Sequence, residues 1–168
     1  MSTATQSQMP QTSQAPQIFE IKKEIEIAAP IEIAFESMLD ELGPENQMPD
    51  GTSMSFKLEA WPGGRWYRDL GKNVGHLWGH VQVIKPPTLL EIWGPMMMSY
   101  AAINHIQYRF TAQGSGTKLA FLHRSLGDDL VRASRRPAQG MGAFERTNSA
   151  ARRATGAEEE IVREVRMK

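Results

Sequence analysis

The chain has 168 residues, no cysteine, and 19 Lys and Arg balanced by 19 Asp and Glu. That length suits one domain with a substantial core. The composition rules out a disulfide framework and thiol chemistry, and it leaves no global charge to draw in nucleic acid or an anionic membrane.

Residues 1–17, MSTATQSQMPQTSQAPQ, carry no charge, no aromatic and no aliphatic run. Burial cannot offset the entropy of ordering such a segment, so a disordered tail is expected. It lacks the basic start and apolar stretch of a secretory signal, and no later stretch reaches membrane-spanning length. The expected location is therefore cytoplasmic, without membrane insertion. In IFEIKKEIEI (18–27), Phe19, Ile21, Ile25 and Ile27 fall on alternate positions with Lys23 as the one interruption, which predicts a half-buried strand. AAPIEIAFESMLDELG follows, with Pro30 suited to a first helical turn. Ile31, Ala34, Phe35, Met38, Leu39 and Leu42 lie at helical spacing and Gly43 acts as a stop, predicting a helix.

From Thr52 to Ser125 short runs alternate with turn signals, the pattern of an antiparallel meander. WPGG (61–64), GKNVG (71–75), KPP (85–87) and AQGSG (112–116) separate strands expected near 53–60, 65–70, 76–84, 88–93, 103–111 and 117–125. GPMMMSY lies between the fifth and sixth of the chain's seven expected strands. Met96 and Met98 there read either as flexible plugs of the core end or as an adaptable lip of a binding site, with Met97 turned outward. After Gly127 the pattern becomes helical, broken early by Pro137, Gly140 and Gly142. GAFERTNSAARRA is the better helix, with Phe144, Thr147, Asn148 and Ala151 on one face below Met141. The last segment, AEEEIVREVRMK, has acid first and base last, which suits a short peripheral helix.

Residues 131–168 hold nine Lys or Arg against five Asp or Glu. With Phe144 the one aromatic nearby, no stacking platform accompanies that charge, and it reads as a solvated helix face with no nucleic-acid partner. Strand, helix, six strands, helix is an α+β order. A curved sheet and a straight terminal helix leave a gap between them, and that gap is the expected functional site.

At GGRWYRDLG, GHLWGHVQVIKPPTLLEIWGPMMM and GTKLAFLHRSLG the chain resembles the START-like (SRPBCC) superfamily. More narrowly it is similar to the branch named after the activator of the heat-shock protein 90 ATPase. The resemblance spans roughly residues 19–153, within a domain placed at 18–155 between the tail and a C-terminal extension at 156–168. It implies a helix-grip fold: a seven-stranded antiparallel sheet curved around a long C-terminal helix, with an apolar cavity between. It also implies binding of a lipid, polyketide or similar apolar molecule, with a co-chaperone role or cyclase or hydrolase activity as alternatives. Two positions depart from the family pattern: Met141 stands in place of the usual Trp, and Asn148 where an apolar residue is expected.

No G-x-x-x-x-G-K-[ST], H-E-x-x-H or G-x-S-x-G motif is present, so nucleotide chemistry, zinc hydrolysis and a nucleophile elbow have no support. His76 and His80, four apart on one strand face, would sit about 13 Å apart at roughly 3.3 Å per residue, too far for a shared metal. His105 is expected to face solvent, and no metal or cofactor is expected. His123 shares parity with Leu119 and Phe121, and Asn104 with Ile106, Tyr108 and Phe110. Both should face the apolar side, either as satisfied core residues or as anchors for a ligand carbonyl or hydroxyl. His123 is also the one candidate acid or base. Arg65 and Arg68, on opposite faces of one strand, read as surface charges or as one carboxylate-binding group.

The expected ligand-lining set is Trp66, Trp78, Met96, Met98, Asn104, Tyr108, Phe110, Phe121, His123, Met141 and Phe144. Trp93, Tyr67 and Tyr100 add aromatic area to the same strands. The expected partner is a small apolar ligand, with a chaperone or a second copy in a homodimer as alternatives.

Overall fold

The computed structural model describes residues 16–48, 50–96 and 101–127. Within them the order is β1 (Gln17–Ile27), α1 (Ile31–Leu42), β2 (Phe56–Leu58), β3 (Arg65–Asp69), β4 (Gly75–Lys85), β5 (Leu89–Gly94), β6 (Ala102–Gln113) and β7 (Gly116–Gly127). The seven strands form one antiparallel, curved sheet in the order β1-β7-β6-β5-β4-β3-β2. The α+β architecture matches the expected one. The expected C-terminal helix, with Met141 and Phe144, falls outside the described residues, and so does the cavity it was expected to close.

Apolar periodicity dictates α1. Ala34, Phe35, Met38 and Leu42 are buried, and Ile31 and Leu39 are half-buried. Pro30 occupies the cap position just ahead of the first turn, where its missing N–H leaves no bond unmade. At the other end the orphan carbonyl of Leu42 accepts a hydrogen bond from Trp66 Nε1 at 2.7 Å. Phe35 packs edge-on against Phe110 at 5.4 Å, setting the helix over one end of the inner face of the sheet. Thr117 Oγ1 donates to the Ala29 carbonyl at 2.8 Å, tying the start of β7 to the link between β1 and α1.

The strand expected over 53–60 shrinks to three residues. Ser55 adopts φ 53° and Met54 N–H bonds to the Asn46 carbonyl, so the extended run begins only at Phe56, although the Ser55 carbonyl still accepts from Asp69 N–H at 3.1 Å. A short edge strand exposes little unpaired backbone. The opposite edge, β1, is long but carries Glu20, Lys22, Lys23, Glu24 and Glu26, all exposed, which discourages pairing with another chain. Lys23, the interruption in the apolar alternation, lies opposite Phe121 on the inner-face register and is exposed there.

Strand β4 holds two extra residues. Trp66 pairs with Gly79 and Tyr67 with Leu77, leaving Trp78 as a bulge. Val81 pairs with Ile92 and Val83 with Glu91, leaving Gln82 as a second. A bulge re-aims side chains. It corrects the expectation that His76 and His80 share a face: His76 pairs with Arg68 on the inner register, whereas His80 pairs with Arg65 and Trp93 on the outer one. The rings of His80 and Trp93 stack outside at 5.9 Å.

Gly79 and Gly94 permit the close approach of β4 and β5 at this point. A Cβ on Gly79 would come within 2.7 Å of the Trp93 carbonyl oxygen, and one on Gly94 would overlap the Gly79 Cα and the Trp78 carbonyl. Gly94→Ala is therefore expected to lower stability by about 1–3 kcal/mol, as other overpacking changes do. Urea unfolding checks this, and an unchanged midpoint would mean that the two strands separate freely.

Candidate functional site

Directly paired residues form rows across the inner face. One row runs Phe19, Ser125, Asn104 and Gly94; the next runs Ile21, His123, Ile106 and Ile92. Beyond these lie Lys23, Phe121, Tyr108 and Leu90, then Ile25, Leu119 and Phe110. The strand period of two brings Asn104, His123 and Ser125 inward together from an otherwise apolar alternation. They are 0%, 8% and 2% exposed. Phe110, under α1, is six residues along β6 from Asn104, about 20 Å at roughly 3.3 Å per residue. Helix and polar cluster thus occupy opposite ends of the face.

The cluster is ordered by one bond. Asn104 Nδ2 donates to the Pro95 carbonyl at 2.8 Å, which turns the carboxamide so that Oδ1 faces β7. The reverse orientation would set two acceptors against each other. Oδ1 accepts a short hydrogen bond from Ser125 Oγ and a second, at 2.9 Å, from His123 Nε2. Since Oδ1 offers no proton, Nε2 must carry one, and the Ser125 oxygen lies within 3.2 Å of the same nitrogen. In the neutral ring Nδ1 is then bare, and it has no hydrogen-bond partner among the described residues.

Burial holds the His123 imidazole below its ordinary pKa, and the charge of His105 acts in the same direction. His105 itself lies on the outer register, paired with Arg124 and Trp93, with its Nε2 3.7 Å from Glu91. The arrangement is not that of an activated nucleophile. Ser125 gives its proton to Asn104, and the nearby imidazole nitrogen is already protonated, so it cannot take another. Ser125 escaped the sequence reading although its signal was present, since it continues the inward positions 119, 121 and 123.

The other expected lining residues separate into groups. Phe121 and Tyr108 lie one row from His123, their rings 5.4 Å apart, and burial raises the Tyr108 phenol above its ordinary value. Trp66 and Trp78 pack with Phe56 in an aromatic trio at 5.1–5.6 Å. Trp66 Nε1 is engaged by α1, whereas Trp78 Nε1 is buried with no acceptor among the described residues. Met96 is buried in the core, its backbone N–H bonded to the Trp78 carbonyl at 3.0 Å. Phe110 belongs to the contact with α1. Met97, Met98, Tyr100, Met141 and Phe144 lie outside the described residues.

Arg65 lies over the Tyr67 ring and pairs with Glu59, which it holds down at a pKa of about 2. Arg68 donates to the Met54 carbonyl at 2.8 Å. Both guanidinium groups are thus engaged within the chain. Among the described residues no group of three His, Asp or Glu is placed to hold a metal, and no helix is long and apolar enough to cross a membrane.

No family model and no curated protein matches the chain. Solved structures do. An uncharacterised protein from Rhizobium leguminosarum shares 16% identity, covering 83% of this chain and 99% of its own, with a TM-score of 0.60. The Mll3558 protein from Rhizobium loti shares 16% over 82% of this chain and 99% of its own, at a TM-score of 0.61. The di-domain ARO/CYC BexL from the BE-7585A biosynthetic pathway shares 14% over 80% of this chain and 50% of its own, at 0.57. At these identities the likeness is one of fold.

Because an unfolded His titrates near 6.5 and the folded His123 lower, the unfolded chain binds more protons between those values. The His123 contribution is therefore complete above about pH 6.5 and is lost as pH falls toward the folded value. Urea unfolding from pH 7.5 down to about 5.5 is expected to show this decline, and His123→Gln should flatten it. Stability that rises on acidification would mean that the imidazole is charged in the fold.

Proposed function

We propose that this chain binds a small apolar or aromatic molecule against the inner face of its sheet, in the space between sheet and C-terminal segment. The Asn104, His123 and Ser125 cluster supplies the polar contact. The observation that carries the reading is this buried polar cluster within an apolar face, with one histidine nitrogen left without a partner among the described residues. His123 is 8% exposed, and an open lone pair beside apolar surface is a point at which a bound molecule gains a hydrogen bond. Beside it the apolar side chains of Phe19 and Ile21 are only half-buried, leaving surface for contact. Concave apolar sites with a few convergent polar groups are the usual form of small-molecule sites. The likeness to BexL, an ARO/CYC protein, supports a ligand-holding use of the fold. Phe121 and Tyr108 supply aromatic area, and hydrophobic burial supplies the affinity at about 25 cal/mol per Å².

A second reading, a protein-interaction module as in the co-chaperone branch, draws on a different face. Ile18, Leu126 and Ile103 stand side by side on the outer register of β1, β7 and β6 and are 79%, 47% and 64% exposed. Replacing Ile103 and Leu126 by serine separates the two readings, since it should leave small-molecule binding intact.

A panel of fatty acids, naphthalene derivatives and polycyclic phenols is expected to contain members that raise the melting temperature of the full chain. They should also displace a fluorescent apolar probe with saturation, because a ligand of the folded state stabilises it by mass action. A panel in which no member shifts the transition and the probe never saturates would overturn the reading.

A further inference from the structure

We infer that the molecule bound at this site presents a hydrogen-bond donor, a phenolic or aliphatic hydroxyl or an N–H, to Nδ1 of His123. Molecules offering only a carbonyl or ether oxygen there bind less well. The inference rests on the ligand-binding reading above and adds to it the polarity of the contact. Sequence alone left a carbonyl and a hydroxyl equally acceptable at this place.

Asn104 has two polar ends: its nitrogen is held by the Pro95 carbonyl, and its oxygen receives donors from both His123 and Ser125. An amide oxygen has two lone pairs, so it is full. Ser125 has one O–H, already given to Asn104; His123, when neutral, has one N–H, given to the same oxygen. The hydrogen-bonding capacity that these contacts leave unused is therefore lone pairs: Nδ1 of His123 and the oxygen of Ser125.

Burial favours the neutral ring, which keeps Nδ1 bare. The inner-face residues paired with His123 are Ile21 and Ile106, and the Phe121 ring centroid is 6.4 Å from its own. None of these can donate. A ligand hydroxyl would satisfy the lone pair, whereas a carbonyl oxygen would set one acceptor against another and leave both unsatisfied.

The test uses the full chain and a matched pair of probes, 2-naphthol and 2-methoxynaphthalene, which differ in the hydroxyl proton. Calorimetry on the wild type is expected to give 2-naphthol the tighter binding by about tenfold or more. In His123→Phe the difference should shrink to near parity. Because that variant could fail to fold, ¹⁵N NMR of the wild-type histidines supplies an independent arm: His123 should carry its proton on Nε2, with Nδ1 unprotonated. Equal affinity for the two probes in the wild type, or a proton on Nδ1, would overturn the inference while leaving small-molecule binding intact. Binding of neither probe would overturn the inference together with the reading on which it rests.

Discussion

The bond from Asn104 Nδ2 to the Pro95 carbonyl orients everything around it. It depends on where β5 ends. Gly94 and Gly79 allow β5 to close on β4, and Pro95 follows immediately, so its carbonyl is delivered to the inner face beside Asn104. Once the carboxamide is turned, the proton positions on His123 and Ser125 follow from hydrogen-bond valence alone. A backbone feature at the end of β5 thus decides the chemistry presented two strands along, on β7.

The polar cluster and α1 divide the inner face between them. Where α1 packs on the sheet, its Phe35 and Leu42 join Phe110 and Leu119 in an apolar core in which Trp66 doubles as a cap for the helix end. At the other end the face carries buried polar groups and the half-buried side chains of β1. A fold that places its packed core at one end can leave the other for recognition without losing the interactions that hold it together.

Periodicity made much of this legible. The alternation in β1, β6 and β7 gave the inward direction of Asn104 and His123, and the helical stripe of α1 is buried along Ala34, Phe35, Met38 and Leu42. What parity could not supply was a bulge. The extra residues Trp78 and Gln82 in β4 shift the alternation, and for that reason the His76 and His80 pair was misread. Nor does parity report proton positions: Pro95 and Asn104 are nine residues apart and meet only because two strands close. Ser125 lies on the same alternation that gives the inward direction of His123. A strand face has one parity along its whole length while α1 covers only part of it, so parity alone did not show that Phe110 and Trp66 meet the helix while Asn104, His123 and Ser125 meet one another.

The proposed place of recognition is the inner face of the sheet. Intermolecular NOEs between bound 2-naphthol and the methyl groups of the isotope-labelled full chain test this most directly. The account predicts contacts to Ile21 and Ile106, beside His123, while contacts confined to Ile18, Ile103 and Leu126 on the outer face would contradict it.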